Sequence, residues 1–195
     1  SFARNIYWKT TDYMWSGVYI NQKLKGLKPN KVNANSLKKE TFSKALYTKR
    51  QGLLFNTDAS YLYKTITLQE DFLYRYHAWE EEMRSFLEVI PHDVQVSIVF
   101  VPHGAQVHDW YYHNMLALGA QFDDKDTTQK NEYEFYRKAV ADFKTFDNVS
   151  FYNPLAFLKQ KDTALNRLYY NNDQHFSDQG QIALYEFLDK AIFDK

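Results

Sequence analysis

The chain has 195 residues, a length that fits one domain over residues 1–195. Its 24 basic and 24 acidic side chains balance, so no overall field attracts nucleic acid or an anionic membrane. It has no cysteine, which excludes disulfides, thiolate metal sites and a cysteine nucleophile.

Residues 1–50 are predicted to be a helical lead-in followed by a Lys-rich loop. Apolar residues recur at helical period over 2–25, and Gly26 and Pro29 follow as stop signals. This helix either lies at a membrane interface or packs on a sheet or on a further part of the protein, and a docking face for a partner is an open alternative. Residues 28–50 are predicted to be loop with a short helix around 40–48. No stretch reaches the ~18 apolar residues needed for a membrane span.

The middle of the chain predicts one long helix and one strand. "GLLFN" (52–56) predicts a short strand or an extended loop. Over 67–90 apolar residues recur every three or four positions, which predicts a helix. Its predicted apolar face consists of Leu68, Phe72, Tyr76, Trp79, Met83, Phe86 and Ile90. "VQVSIVFVP" (94–102) predicts a strand that is covered on both faces.

The second half of the chain predicts helices around a second strand. The predicted elements are a loop and helix ending at Gly119 (103–119), a polar connection (123–131), a helix (132–146), a strand (148–154), a helical turn (154–161) and a last helix (178–193). The residues predicted to face inward from the last helix are Ile182, Leu184, Tyr185, Leu188 and Ile192. Because helices separate the two strands, we expect crossover connections and a parallel sheet.

The stretch "YYNNDQHFSDQGQ" (169–181) carries the clearest chemical pattern. Ser177 is a good N-cap for the last helix. Just before it, Asp173 and His175 alternate in extended geometry, so both side chains can project to one side. The carboxylate would then accept the proton of one ring nitrogen and leave the other basic enough to take a hydroxyl proton. The pattern indicates the acid and base of a hydrolytic triad; the alternative is a turn aspartate beside an exposed histidine.

Three stretches resemble the SGNH (GDSL-type) hydrolase and acyltransferase superfamily. "YYNNDQHFSDQGQIALYEFL" resembles its last conserved block. "VQVSIVFVPHGAQV" resembles the strand and Pro-containing loop of its bacterial carbohydrate O-acyltransferase branch, and "NVSFYNPLAFLK" resembles the strand between. The resemblance implies a three-layer α/β/α, flavodoxin-like fold with a mostly parallel sheet. It also implies acetyl ester chemistry on a glycan by a Ser-His-Asp triad without a cofactor, and an extracytoplasmic location for the acyltransferase branch.

The nucleophile is left open. The Gly-Asp-Ser block of the family is missing, as are its separate Gly and Asn blocks for the oxyanion. Ser60 in "FNTDASYLY" is one candidate. In a second alternative, the N-terminal strands of the family precede Ser1 and carry the serine. A third is a non-catalytic carbohydrate- or protein-binding module on a degenerate SGNH fold.

Histidines after the first strand form a separate candidate group. His103 follows the carboxyl end of that strand, where α/β sheets bind ligands, so we predict that it binds substrate. His108 and His113 follow at intervals of five, which puts successive side chains ~140° apart on a helix. That spacing does not suit a zinc helix, and no metal site is predicted.

Overall fold

The computed structural model describes residues 44–69 and 71–193, which form a mixed α/β fold. The predicted helix over 2–25 lies outside these residues. In chain order, the elements are α1 (Lys44–Thr57), α2 (Tyr61–Thr67), α3 (Asp71–Glu88), β1 (Val96–Val99), α4 (Gly104–Val107), α5 (Asp109–Ala117), α6 (Lys125–Thr128), α7 (Glu134–Asp142), β2 (Val149–Tyr152), α8 (Leu155–Lys161) and α9 (Asp178–Leu188), followed by a π-helical turn (Asp189–Phe193). None of these helices is both long and apolar enough to cross a bilayer.

The two strands pair in parallel, as predicted. Val96 lies opposite Val149, and the Phe100 amide donates to the Tyr152 carbonyl at 3.0 Å. Both strands are shorter than predicted. The prediction that the first strand is covered on both faces is wrong for the part of the chain described, because each residue of β1 is exposed or half-buried. The side chains of β1 are therefore only partly buried.

The prediction of a strand or extended loop at residues 52–56 is wrong, because these residues form the second half of α1. Phe55 is buried there and packs with Leu62 and Met115. A short apolar run cannot be assigned by periodicity alone, and its two leucines also favour a helix. The helix continues across residue 50, where the sequence placed the end of the lead-in.

The long predicted helix over 67–90 is divided in two. Leu68 adopts a left-handed conformation (φ 52°) and ends α2, so the long helix α3 begins at Asp71. Phe86, predicted to face inward, is 56% exposed, whereas the neighbouring Leu87 is 3% exposed. The buried face therefore turns by one residue near the end of α3.

Aromatic side chains join α3 and α7 to the sheet. The Trp79 ring contacts the rings of Phe100 and Phe135 at 6.3 and 5.3 Å between centroids. Phe100, just after β1, stacks on Phe151 of β2 at 5.8 Å. These contacts place the core of this half of the molecule between the two helices and one face of the sheet.

The last helix packs through small residues. Ser177 caps α9 as predicted, since its hydroxyl accepts from the Gly180 amide at 3.2 Å. Ala183 is buried, whereas Ile182 and Tyr185 are 51% and 65% exposed, so their predicted inward orientation is wrong. Gly180 and Ala183 allow the helix backbone to approach its neighbours closely, and the larger side chains then face outward.

Candidate active site

The segment between α8 and α9 closes as a tight hairpin-like loop over residues 169–176. Tyr169 and Phe176 form an isolated antiparallel bridge, and the Tyr170 amide donates to the His175 carbonyl at 3.2 Å. At the tip, Asn172 adopts a left-handed conformation with φ 57°. Asparagine tolerates this conformation better than most residues, so the sequence suits the turn. The loop brings Asp173 and His175 to one side, as the alternation suggested.

Asp173 and His175 are in direct contact. The Nδ1 atom of His175 lies 2.5 Å from the Asp173 Oδ1 atom, and the His175 amide donates to the same oxygen at 3.0 Å. The Asp173 side chain is fully buried, whereas that of His175 is 57% exposed. The carboxylate can therefore hold the proton on Nδ1 and leave Nε2 as the basic nitrogen on an accessible ring.

A second histidine–carboxylate pair shows what is particular to this site. In α3, the His77 Nδ1 atom lies 3.2 Å from the Glu80 Oε2 atom, and the two side chains are 50% and 17% exposed. That pair lies on an exposed helix surface with i,i+3 spacing, where a contact orients the ring only weakly. The His175 ring is instead held at shorter range by a carboxylate that is shielded from water.

The loop is fixed to the segment that follows β1. The Tyr169 hydroxyl donates to the Pro102 carbonyl at 2.6 Å, and the Asn114 side-chain amide donates to Asn171 Oδ1 at 2.5 Å. Pro102 lies just beyond the carboxyl end of β1. The hairpin-like loop is therefore attached at the edge of the parallel sheet where α/β proteins commonly bind ligands.

His103 follows Pro102 and caps α4. Its Nδ1 atom accepts from the Ala105 amide at 3.1 Å, and Gln106 Oε1 accepts from the His103 amide at 3.0 Å. Burial lowers the pKa of the His103 imidazole to about 4, so the ring is neutral at pH 7. Because Nδ1 accepts a hydrogen bond, the proton lies on Nε2. This buried N–H group makes no hydrogen bond to any described residue.

Ser60 occupies the N-cap position of α2. Its amide donates to Asp58 Oδ1 at 3.1 Å, and its hydroxyl makes no capping hydrogen bond. The backbone of Ser60 is held by Asp58 and by the first turn of α2, whereas the Asp173 and His175 side chains contact each other. The role of Ser60 as the nucleophile stays a prediction.

His108 has a structural role. Its Nδ1 atom accepts from the Trp110 amide at 3.0 Å and so caps α5. Within residues 44–69 and 71–193, no three side chains of histidine, aspartate or glutamate group in a way that could hold a metal ion.

Sequence reasoning missed a buried ionic network beside the hairpin-like loop. The Asp162 side chain is fully buried and accepts from Tyr111 Oη at 2.7 Å, from an Arg167 guanidinium nitrogen at 2.5 Å and from the Leu168 amide at 3.0 Å. In the sequence, an aspartate five positions before an arginine resembles many surface pairs. The tyrosine that completes the network lies about fifty residues upstream, so no local pattern could have revealed it.

These contacts define a histidine that is oriented by a buried carboxylate at the carboxyl edge of a parallel sheet. No family model, curated protein or solved structure matches the chain, and the functional argument therefore depends on this geometry and on the motifs of the sequence.

Proposed function

We propose that this chain is an ester hydrolase or O-acyltransferase of the SGNH type, with a three-layer α/β/α, flavodoxin-like fold, acting on acetyl esters of carbohydrates. His175 serves as the base and Asp173 as the residue that orients it. The observation that carries the proposal is the fully buried Asp173 carboxylate 2.5 Å from the ring nitrogen of an exposed histidine. The SGNH-like block around these residues and the parallel sheet support the same assignment.

The proposed reaction has two steps. His175 Nε2 takes the proton of a serine hydroxyl as that oxygen attacks the ester carbonyl carbon. The resulting imidazolium, stabilised by Asp173, gives the proton to the departing alcohol, and an acyl-enzyme remains. In the second step His175 removes a proton from water in a hydrolase, or from an acceptor hydroxyl in a transferase, as that oxygen attacks the acyl carbon. The imidazolium then returns the proton to the serine oxygen as the serine–acyl bond breaks. No cofactor takes part in this chemistry.

His103 is proposed to bind the substrate from the carboxyl edge of the parallel sheet. Its neutral ring adds no charge, and its buried Nε2–H group makes no hydrogen bond to a described residue. If the ring turns toward the site, this donor can take a hydroxyl or carbonyl oxygen of an acetylated sugar as its acceptor. The contact of Tyr169 with Pro102, the residue before His103, links this donor to the hairpin-like loop.

Hydrolysis of p-nitrophenyl acetate tests the proposal. We expect His175→Ala and Asp173→Asn each to lower kcat at least ~100-fold, since general base catalysis commonly contributes that much. His77→Ala is the matched control, because it removes a carboxylate-paired histidine from an exposed helix, and it should leave the rate unchanged. Equal rates in the wild-type protein and His175→Ala would contradict the assignment.

A serine-reactive fluorophosphonate, followed by peptide mass spectrometry, locates the nucleophile. We expect one labelled serine, with the label lost in His175→Ala because the base no longer activates the hydroxyl. Label on Ser60 identifies that residue, and Ser60→Ala should then abolish it. If no serine reacts and His175→Ala is without effect, the non-catalytic carbohydrate- or protein-binding module is the better assignment.

A further inference from the structure

We propose that Tyr111 is a positioning residue for the Asp173–His175 pair and acts through its hydroxyl group on the backbone of the hairpin-like loop. This inference rests on the proposed function, since it assigns a residue that prepares the same site for catalysis. Tyr111 lies on α5, and its ring is buried beneath the loop.

The Tyr111 hydroxyl makes three hydrogen-bond contacts with described residues, and the longest of them is to the Tyr169 carbonyl oxygen at 3.4 Å. The two shorter contacts set the direction of the hydroxyl group. It donates to Asp162 Oδ2 at 2.7 Å and accepts from the Tyr169 amide at 3.0 Å. Since the carboxylate takes the hydroxyl proton, a lone pair of the oxygen faces the Tyr169 amide. The hydroxyl therefore places the first residue of the loop relative to α5.

The carboxylate that directs this hydroxyl is itself held in place. Arg167 forms an ion pair with Asp162 at 2.5 Å, and its guanidinium group lies 4.8 Å from the centroid of the Trp110 ring. The Leu168 amide also donates to Asp162 at 3.0 Å. A buried ion pair with further hydrogen bonds has little freedom to rearrange, so the Tyr111 hydroxyl has one favoured orientation.

Backbone hydrogen bonds connect the residue after Tyr169 to both members of the Asp173–His175 pair. The next residue, Tyr170, donates its amide proton to the His175 carbonyl at 3.2 Å. The Tyr170 carbonyl accepts from the Asp173 amide at 3.4 Å. A shift of the backbone at Tyr169 therefore moves both residues of the pair, and the 2.5 Å contact between their side chains has little tolerance for such a shift.

A second tyrosine of the same chemistry provides a matched control. The Tyr76 hydroxyl donates to Asp142 Oδ2 at 2.8 Å, and Lys138 pairs with the same carboxylate at 3.1 Å. Tyr76 is buried, like Tyr111, but its partners lie on α7 and none belongs to the hairpin-like loop. Tyr76→Phe therefore removes a comparable hydrogen bond without touching the site.

The experiment compares Tyr111→Phe, Tyr76→Phe and Asp173→Asn by long-range ¹H–¹⁵N correlation spectra of the histidine rings, which report the nitrogen that carries the proton. We expect His175 to be the Nδ1–H tautomer in the wild-type protein and in Tyr76→Phe. In Tyr111→Phe we expect a shift towards the Nε2–H tautomer, in the direction of Asp173→Asn. Tyr111→Phe should lower Tm at least as much as Tyr76→Phe, because it removes the acceptor of the Tyr169 amide as well as a hydrogen bond to a carboxylate.

Ester hydrolysis gives the second measurement. Tyr111→Phe should lower kcat about 10- to 100-fold with KM unchanged, since a small misplacement of a catalytic group has an effect of that order. An unchanged His175 tautomer in Tyr111→Phe would overturn the inference. If the wild-type protein lacks esterase activity but the tautomer shifts as expected, the proposed function fails and the positioning role stands. Should Tyr111→Phe not fold, Asp162→Asn must produce the same tautomer shift, and failure to do so overturns the inference.

Discussion

His103 shows how one buried ring makes stability depend on pH. Its Nδ1 atom caps α4, and burial lowers its pKa from 6.5 to about 4. Between these two values the unfolded chain binds a proton that the folded protein does not bind. The free energy of unfolding therefore falls as the pH falls through this range, and the effect is absent above it.

The first prediction concerns His103→Asn, in which asparagine keeps an N-cap acceptor but cannot titrate. We expect the wild-type protein to lose about 2 kcal/mol more stability than the variant between pH 7 and pH 5, at about 1.4 kcal/mol for each pKa unit. Urea unfolding of both proteins at the two pH values measures the difference. The same pH dependence in both would show that the buried imidazole is not its source.

Position 180 requires glycine because neighbouring atoms lie too close to its Cα atom to leave room for a side chain. A Cβ atom at this position would lie 2.0 Å from the Leu168 carbonyl oxygen and 2.5 Å from the Phe176 ring. The residue before the hairpin-like loop and the residue closing it would both have to move. The Leu168 carbonyl also accepts a hydrogen bond from the amide of Ser177, the N-cap of α9, at 2.8 Å. Movement of Leu168 would therefore disturb the cap as well.

Gly180→Ala should therefore destabilise the protein by at least about 2 kcal/mol, through backbone strain. This sign is opposite to the gain of about 1 kcal/mol that the substitution gives in an ordinary helix interior. Gln181→Ala, at the neighbouring exposed position, is the control and should change stability little. Denaturant unfolding monitored by circular dichroism distinguishes the two signs, and a Gly180→Ala variant as stable as the wild-type protein would refute the close approach.

At the scale of the element, α3 shows which residues of a helix are buried and which are exposed. Its buried positions are Phe72, Tyr76 and Leu87, whereas Phe86 lies largely in solvent. The sequence offers two large apolar residues side by side near the end of the helix, and periodicity alone did not select the correct one.

We expect Leu87→Ala to lower the free energy of unfolding by about 2–5 kcal/mol, as for other buried leucines. Phe86→Ala should change it by less than about 1 kcal/mol, because the ring loses little burial. Equilibrium unfolding of the two single variants is the measurement. A larger loss for Phe86→Ala would contradict the outward orientation of Phe86 at the end of α3.

At the scale of the whole molecule, the features predicted correctly are those that depend on short sequence patterns. The parallel strands, the capped last helix and the contact of Asp173 with His175 follow from alternation and capping within short segments. The sequence did not predict that the helix over 67–90 is divided at Leu68, or that Tyr185 faces outward. The left-handed conformation of Leu68 and the close packing of small side chains in α9 both depend on tertiary contacts. The nucleophile stays a prediction.

The network around Asp162 has a consequence for attempts to transplant the site. Tyr111 and Pro102, which fix the loop, lie more than fifty residues before it in the chain. Residues 169–181 grafted onto the start of a helix in another scaffold would carry Asp173 and His175 without the buried tyrosine and the carbonyl that hold Tyr169 in place. Such a graft would reproduce the motif and not its geometry, so a recipient protein would need a counterpart of α5 as well.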